Sequence, residues 1–134
     1  MASAEYVGGM IISDATIRPG KWSHIAGVFT STETRLYLNG TLVGTGPGST
    51  DGETHFVIGN VGEDNLLDYF RGVIRAARIT DGQRYEQDFE PPEVFDDDAD
   101  TLLIITPEQI EGDMVMDTTG QVIGRVERVG EGRP

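Results

Sequence analysis

The sequence contains no cysteine, which excludes disulfides and thiolate metal sites. It is also short of basic residues. Lys and Arg total 10 against 23 Asp and Glu, for a formal net charge of −13 at pH 7. Such a field repels phosphate backbones, so nucleic-acid binding is not expected. No apolar stretch approaches the ~18 residues that a membrane span needs. Residues 1–9 (MASAEYVGG) lack both a basic start and an apolar run, so no signal peptide is expected. The chain is therefore expected to stay in the cytoplasm unless it is a trimmed piece, or to act on a virion or extracellular surface if it is carried there in an assembly. Coiled-coil heptads and internal repeats are missing too.

What is present fits one domain over residues 1–134. A chain of this size can bury about two-thirds of its unfolded surface. Gly 18 and Pro 6, beside 37% hydrophobic residues, suit short strands joined by turns. The runs 10–12, 22–29 and 34–38 read as strands. Residues 31–33 between the last two form a polar tip. Asn39-Gly40 follows at once, and this pair tolerates the positive φ of a type I′ turn into a strand over 41–43. Residues 44–52 (GTGPGSTDG) read as a loop.

Residues 55–58 read as a further strand and 61–68 as a polar loop. The run 70–79 reads as a long strand in which Gly72 marks a bulge or a close backbone approach. Residues 81–100 are irregular, disfavoured for regular structure by Pro91-Pro92. Residues 101–106 (TLLIIT) form a continuous apolar run expected to be buried on both faces. Residues 107–112 offer a single helical turn, with proline first and acidic residues near its N-terminus. Residues 121–129 alternate in part and add a last strand in the tail 106–134.

Several of these segments share a pattern. Trp22-Ser23-His24-Ile25-Ala26 resembles the Trp-x-His-Val-Ala strand of laminin-G-like domains, in the concanavalin A-like lectin/glucanase superfamily. Leu36-Tyr37-Leu38-Asn39-Gly40 resembles that family's hairpin, and Ile58-Gly59 the close of its next strand. Phe70-x-Gly72-x-Ile74 with Arg78-Ile79, then Arg84-Tyr85, Phe89 and Pro91-Pro92, extend the resemblance over roughly residues 20–105. It implies an all-β, antiparallel jelly-roll β-sandwich. Members carry several strands before the tryptophan block, where this chain has only residues 5–17. The missing places are filled by the C-terminal strands or by another chain. An open sheet edge invites association, so a homo-oligomer or docking on a larger assembly is expected.

Catalysis finds little support in the residues. Related glycosidases aim alternating carboxylates from one strand, Glu-x-Asp-x-x-Glu, at a single face. Glu63-Asp64 and Asp96-Asp97-Asp98 lack that spacing and fall in loops, so the chain is not expected to be an enzyme. His24 reads as a packed histidine rather than a base beside a nucleophile. No Gly-x-Ser-x-Gly and no phosphate-binding loop occur. Asn39-Gly40-Thr41 matches a glycosylation sequon, but the turn accounts for it.

Glu63, Asp64, Asn65 and Asp68 form one oxygen-rich loop suited to calcium. The resemblance implies the same, since many laminin-G-like domains hold calcium on loop carboxylates. Asp96 to Asp100 reads as a solvated face. Tyr69, Tyr85 and Phe56 are candidate platforms for a sugar, although a packed core would also use aromatics. Two functions follow as expectations: a non-catalytic module that recognises carbohydrate or a protein surface, or a structural virion component such as a capsid-decoration or tail-associated protein.

Overall fold

The computed structural model describes residues 3–6, 9–48, 58, 70, 72–116 and 121–125. Among them all regular structure is antiparallel strand except one 3-10 turn. The chain divides into two compact units that alternate along it. Unit 1 holds Met1–His55 and Gly82–Val94; unit 2 holds Phe56–Asp81 and Phe95–Pro134.

Unit 1 is built on a three-stranded sheet, β3 (Ile25–Phe29), β4 (Glu33–Leu38) and β5 (Thr41–Pro47), in that order. Its two turns are set locally. At the first, Thr30 Oγ1 donates to the Glu33 carbonyl at 2.8 Å and accepts from the Glu33 N–H at 3.0 Å. The polar tip expected at 31–33 is thus stapled by the threonine before it. At the second, Asn39 (φ 51°) and Gly40 (φ 82°) take the left-handed backbone that a type I′ hairpin demands.

Strand β5 runs four residues beyond the expected 41–43, into the stretch read as a loop. Backbone pairing with β4 holds Gly44 and Gly46 in the ladder, where no side-chain pattern could announce them. A register shift between Leu36 and Tyr37 places Gly44 opposite Leu36. A short hairpin precedes this sheet, β1 (Ser3–Tyr6) with β2 (Gly9–Ile12). Its second strand matches the run read at 10–12, ending at Ser13, whose buried Oγ accepts the Ala15 N–H at 2.9 Å.

The central strand β4 is buried from Thr34 to Leu38. Side chains two apart share a face of a strand. Leu36 and Leu38 join Ile11, with Ala15, Ile17 and Val43 packed around them. Gly44 leaves room there, since a Cβ on it would stand 2.8 Å from Ile11 Cγ2. Arg35 and Tyr37 occupy the other face and meet the segment Gly82–Val94.

In contrast, the run 22–29 is not buried throughout. Only its second half is strand, and Trp22 is 63% exposed, with Ile25 and Phe29 also turned outward. An edge strand covered on one side needs alternation, and the pattern here leaves the positions of Ile25, Gly27 and Phe29 outward.

Unit 2 pairs β6 (Ala77–Thr80) with β7 (Thr101–Ile105). The long strand expected over 70–79 shrinks to its last residues: Phe70, Val73 and Ile74 are exposed and outside any strand. Gly72 answers to the Phe70 ring, whose Cζ would lie 2.6 Å from a Cβ there. Nor is β7 buried on both faces, since Leu102 is 68% exposed. Hydrophobicity alone could not reveal that this one position of the run faces outward.

The acidic run before β7 is an exposed turn, as expected of a solvated face. Asp98 Oδ1 accepts from Thr101 Oγ1 at 3.0 Å, and the Asp81 N–H donates to the Asp100 carbonyl at 2.8 Å. The expected helical turn is the 3-10 turn Pro107–Gln109, capped where Gln109 Oε1 accepts the Thr106 N–H at 2.8 Å. Strands β8 (Ile110–Glu111), β9 (Met114–Met116) and β10 (Val122–Arg125) follow, with β9 in the middle. Strand β10 realises the start of the last strand read at 121–129. The strand read at 55–58 falls largely outside the described residues; Ile58 itself is in an exposed bend.

Candidate functional site

Among the described residues a dense polar and aromatic construction lies in unit 1, where residues 82–94 cross the Arg35–Tyr37 face of β4. Tyr37 is fully buried, and its ring meets Phe89 at 5.4 Å between centroids and 62°. Tyr85 and Phe89 stack on each other at 3.5 Å and 5°. His24 completes the group edge-on, 5.5 Å from Phe89 and 6.2 Å from Tyr85. The histidine is a packed one, as its sequence context implied. Edge-on pairs of this kind add about 0.5–1.5 kcal/mol each beyond the area they bury.

The hairpin turn anchors this cluster. Asn39 Oδ1 accepts the His24 N–H, and the Asn39 N–H donates to the His24 carbonyl, both at 2.8 Å. Gly40 is buried and accepts the Phe89 N–H at 2.9 Å. A Cβ on Gly40 would collide with the Phe89 carbonyl, so this glycine serves both the positive φ and the close approach. Beside it, Asp88 Oδ1 accepts the Leu42 N–H at 2.9 Å.

Arg35 holds the other end of the segment. Its side chain is 10% exposed and lies next to Glu33, two residues away on the same face, to which Nη1 donates. Nη2 donates to Gln83 Oε1 at 2.8 Å and to the Tyr85 carbonyl at 2.9 Å. The Glu33 hydrogen bond holds the guanidinium pKa above its ordinary value although burial opposes it, so Arg35 is a cation wherever the protein is folded. A buried charge is tolerated only with partners of this kind.

On the outer side of the segment is an open hollow of about 370 Å³ lined by Arg84, Tyr85, Glu86, Gln87, Asp88 and Phe89. It brings two aromatic residues together with charged and amide ones.

A family profile described as the concanavalin A-like lectin/glucanases superfamily, of laminin-G type, matches residues 3–88, well over half of the chain. The chain belongs to this superfamily. The matched stretch takes in the five described strands of unit 1 and ends inside the segment that covers β4. The antiparallel, all-β architecture agrees with the concanavalin A-like fold that the tryptophan block and the Asn-Gly hairpin implied. No curated protein and no solved structure matches the chain.

Of the residues singled out in the sequence as candidate contacts, Tyr85 lies in the hollow. Part of its ring is committed to Phe89, so it belongs at once to the core and to the surface. Phe56 and Tyr69 lie outside the described residues, as do Glu63, Asp64, Asn65 and Asp68 of the loop expected to suit calcium. Among the described residues no group of three or more His, Asp or Glu is arranged to hold a metal ion, and no helix is long and apolar enough to cross a membrane.

Sequence reasoning missed Arg35, Gln83 and Asp88. One signal could have found the first: an arginine sharing a strand face with Tyr37 must either reach solvent or meet a buried partner. Gln83 and Asp88 sit in an irregular stretch that offers no period to read.

Proposed function

We propose that this domain is a non-catalytic recognition module that binds a neutral carbohydrate in the hollow of unit 1. The supporting observation is the hollow's lining, with Tyr85 and Phe89 beside Arg84, Glu86, Gln87 and Asp88. Sugars present apolar C–H faces and rings of hydroxyls, which such a mixture suits. The net charge of −13 disfavours sulfated or uronate-rich glycans. A glycan microarray, followed by calorimetric titration of the best binder, tests the reading. Glu86 and Gln87 are exposed, so Glu86→Ala and Gln87→Ala should each weaken binding roughly three- to tenfold while leaving thermal unfolding unchanged. A wild-type protein that retains no neutral glycan sinks it. The same titrations with and without calcium test the loop of Glu63, Asp64, Asn65 and Asp68, and Phe56→Ala and Tyr69→Ala test those two residues as further sugar contacts.

A second reading is favoured by β3. Strand β3 is the outermost of its sheet, and among the described residues nothing pairs with its other edge. Ile25 and Phe29 are exposed along it and Trp22 just before it. In this reading the edge joins a second copy of the chain, as in a structural component of a larger assembly such as a virion. Size-exclusion chromatography with light scattering should then give a defined oligomer that Phe29→Lys dissociates. A monomer at all concentrations rejects it.

A further inference from the structure

Residues 82–94 contain no regular secondary structure, yet they carry every described residue that lines the hollow. A segment without ladder hydrogen bonds of its own takes its shape from the points where it is held. Two of those points are hydrogen-bonded to β4, β5 and the turn between them. Near its end, Asp88 accepts the Leu42 N–H and the Phe89 N–H donates to Gly40. Near its start, the Arg35 guanidinium grips Gln83 Oε1 and the Tyr85 carbonyl, and the Tyr37 hydroxyl donates to the same carbonyl at 3.4 Å. Glu86 and Gln87 lie exposed between the two. Only the hold at the start relies on a buried charge, and it fixes the residue whose ring stacks on Phe89.

We infer that Arg35 is a positioning residue for the hollow. Oriented by Glu33 on its own strand, it locks residues 83–85 against β4 and so sets the fraction of time the segment stands ready to bind. Arg35 does not line the hollow itself. Its effect on affinity acts through that fraction, because a site that is competent only part of the time binds more weakly in proportion. A planar fork with fixed donor directions can serve Glu33, Gln83 and Tyr85 together, whereas a lysine ammonium on its flexible stem cannot. The effect on affinity rests on the carbohydrate reading; the lock does not.

Trypsin supplies a direct readout, because Arg84 lies within the locked stretch. The 134-residue chain and its variants are digested briefly, and cleavage between Arg84 and Tyr85 is followed by mass spectrometry. Hydrogen exchange of the β4 and β5 amides is measured alongside. Arg35→Met should speed this cleavage roughly ten- to a hundredfold while β4–β5 protection persists, with Arg35→Lys between it and wild type. Gln83→Ala, which leaves the cation and its Glu33 partner in place, should speed it a few-fold. Cleavage unchanged in Arg35→Met overturns the lock. If that variant loses protection throughout β3–β5, Gln83→Ala decides alone: faster cleavage supports the lock and an unchanged rate overturns it. For a neutral glycan that wild type binds, Arg35→Met should lose affinity as cleavage rises, and unaltered affinity with faster cleavage overturns the positioning role. A wild type that binds no glycan defeats the carbohydrate reading and leaves the cleavage result to judge the lock.

Discussion

The two units solve the burial of short strands differently. In unit 1 one strand, β4, is covered on both faces, by Ile11 and its neighbours on one side and by residues 82–94 on the other. Among the described residues of unit 2 the sheets are ribbons of two and three strands, and Val115 is the one core residue buried. Narrow ribbons covered on one face are marginal by themselves, whereas a strand packed on both sides concentrates hydrophobic burial and ladder hydrogen bonds in one place. Stability should therefore be uneven, with β4 opening last.

The sharpest way to break this contrast is Tyr37→Ala. It removes a fully buried ring that meets both Tyr85 and Phe89, so denaturant unfolding should lose about 3–5 kcal/mol. A loss below about 1 kcal/mol would mean that the aromatic layer does not cover β4. On the opposite face, Gly44→Ala drives a methyl toward Ile11 Cγ2 and should cost about 1–3 kcal/mol by overpacking. No change in Tm would show that β2 yields freely.

Thr30→Ala probes the turn between β3 and β4. The hydroxyl bonds both the Glu33 carbonyl and its N–H, and its loss should cost about 1 kcal/mol. An unchanged midpoint would mean that the backbone bond from Thr30 to Glu33 suffices. Smallest of all, Val73→Ser in unit 2 alters a residue that is 74% exposed and should stay within about 0.5 kcal/mol of wild type. A larger loss there would erase the distinction between the units.

Where the sequence could be read, the signal was local. The Asn39-Gly40 hairpin, the Thr30–Glu33 tip, the strand ending at Ser13 and the proline-led turn at 107–109 each depend on a few neighbouring residues whose backbone preferences agree. The readings that failed concerned which apolar residues would be covered. Trp22, Val73 and Leu102 sit in apolar runs yet face outward, because hydrophobicity records what a residue prefers and not which partner reaches it. Residues 44–47 joined β5 because β4 offered them backbone bonds, a reason that lies wholly in the partner strand.

The candidate site divides in the same way. Tyr85 was legible because aromatic residues near polar loops are few, and the family pattern drew attention to Phe89. Arg35, Gln83 and Asp88 were not, because their roles depend on contacts between residues 46 to 50 apart in sequence.

By itself, then, the sequence determined the class of this protein. Alternating short apolar runs, turn residues at set places and the ordered laminin-G-like blocks leave an antiparallel β domain of the concanavalin A-like superfamily, and the acidic composition disfavours a polyanionic partner. Only the tertiary structure decided which strand is central and that an irregular, proline-containing segment becomes one of its two coverings. The physical reason is that turn chemistry acts within a few residues, while burial is a property of pairs that the chain brings together only after folding.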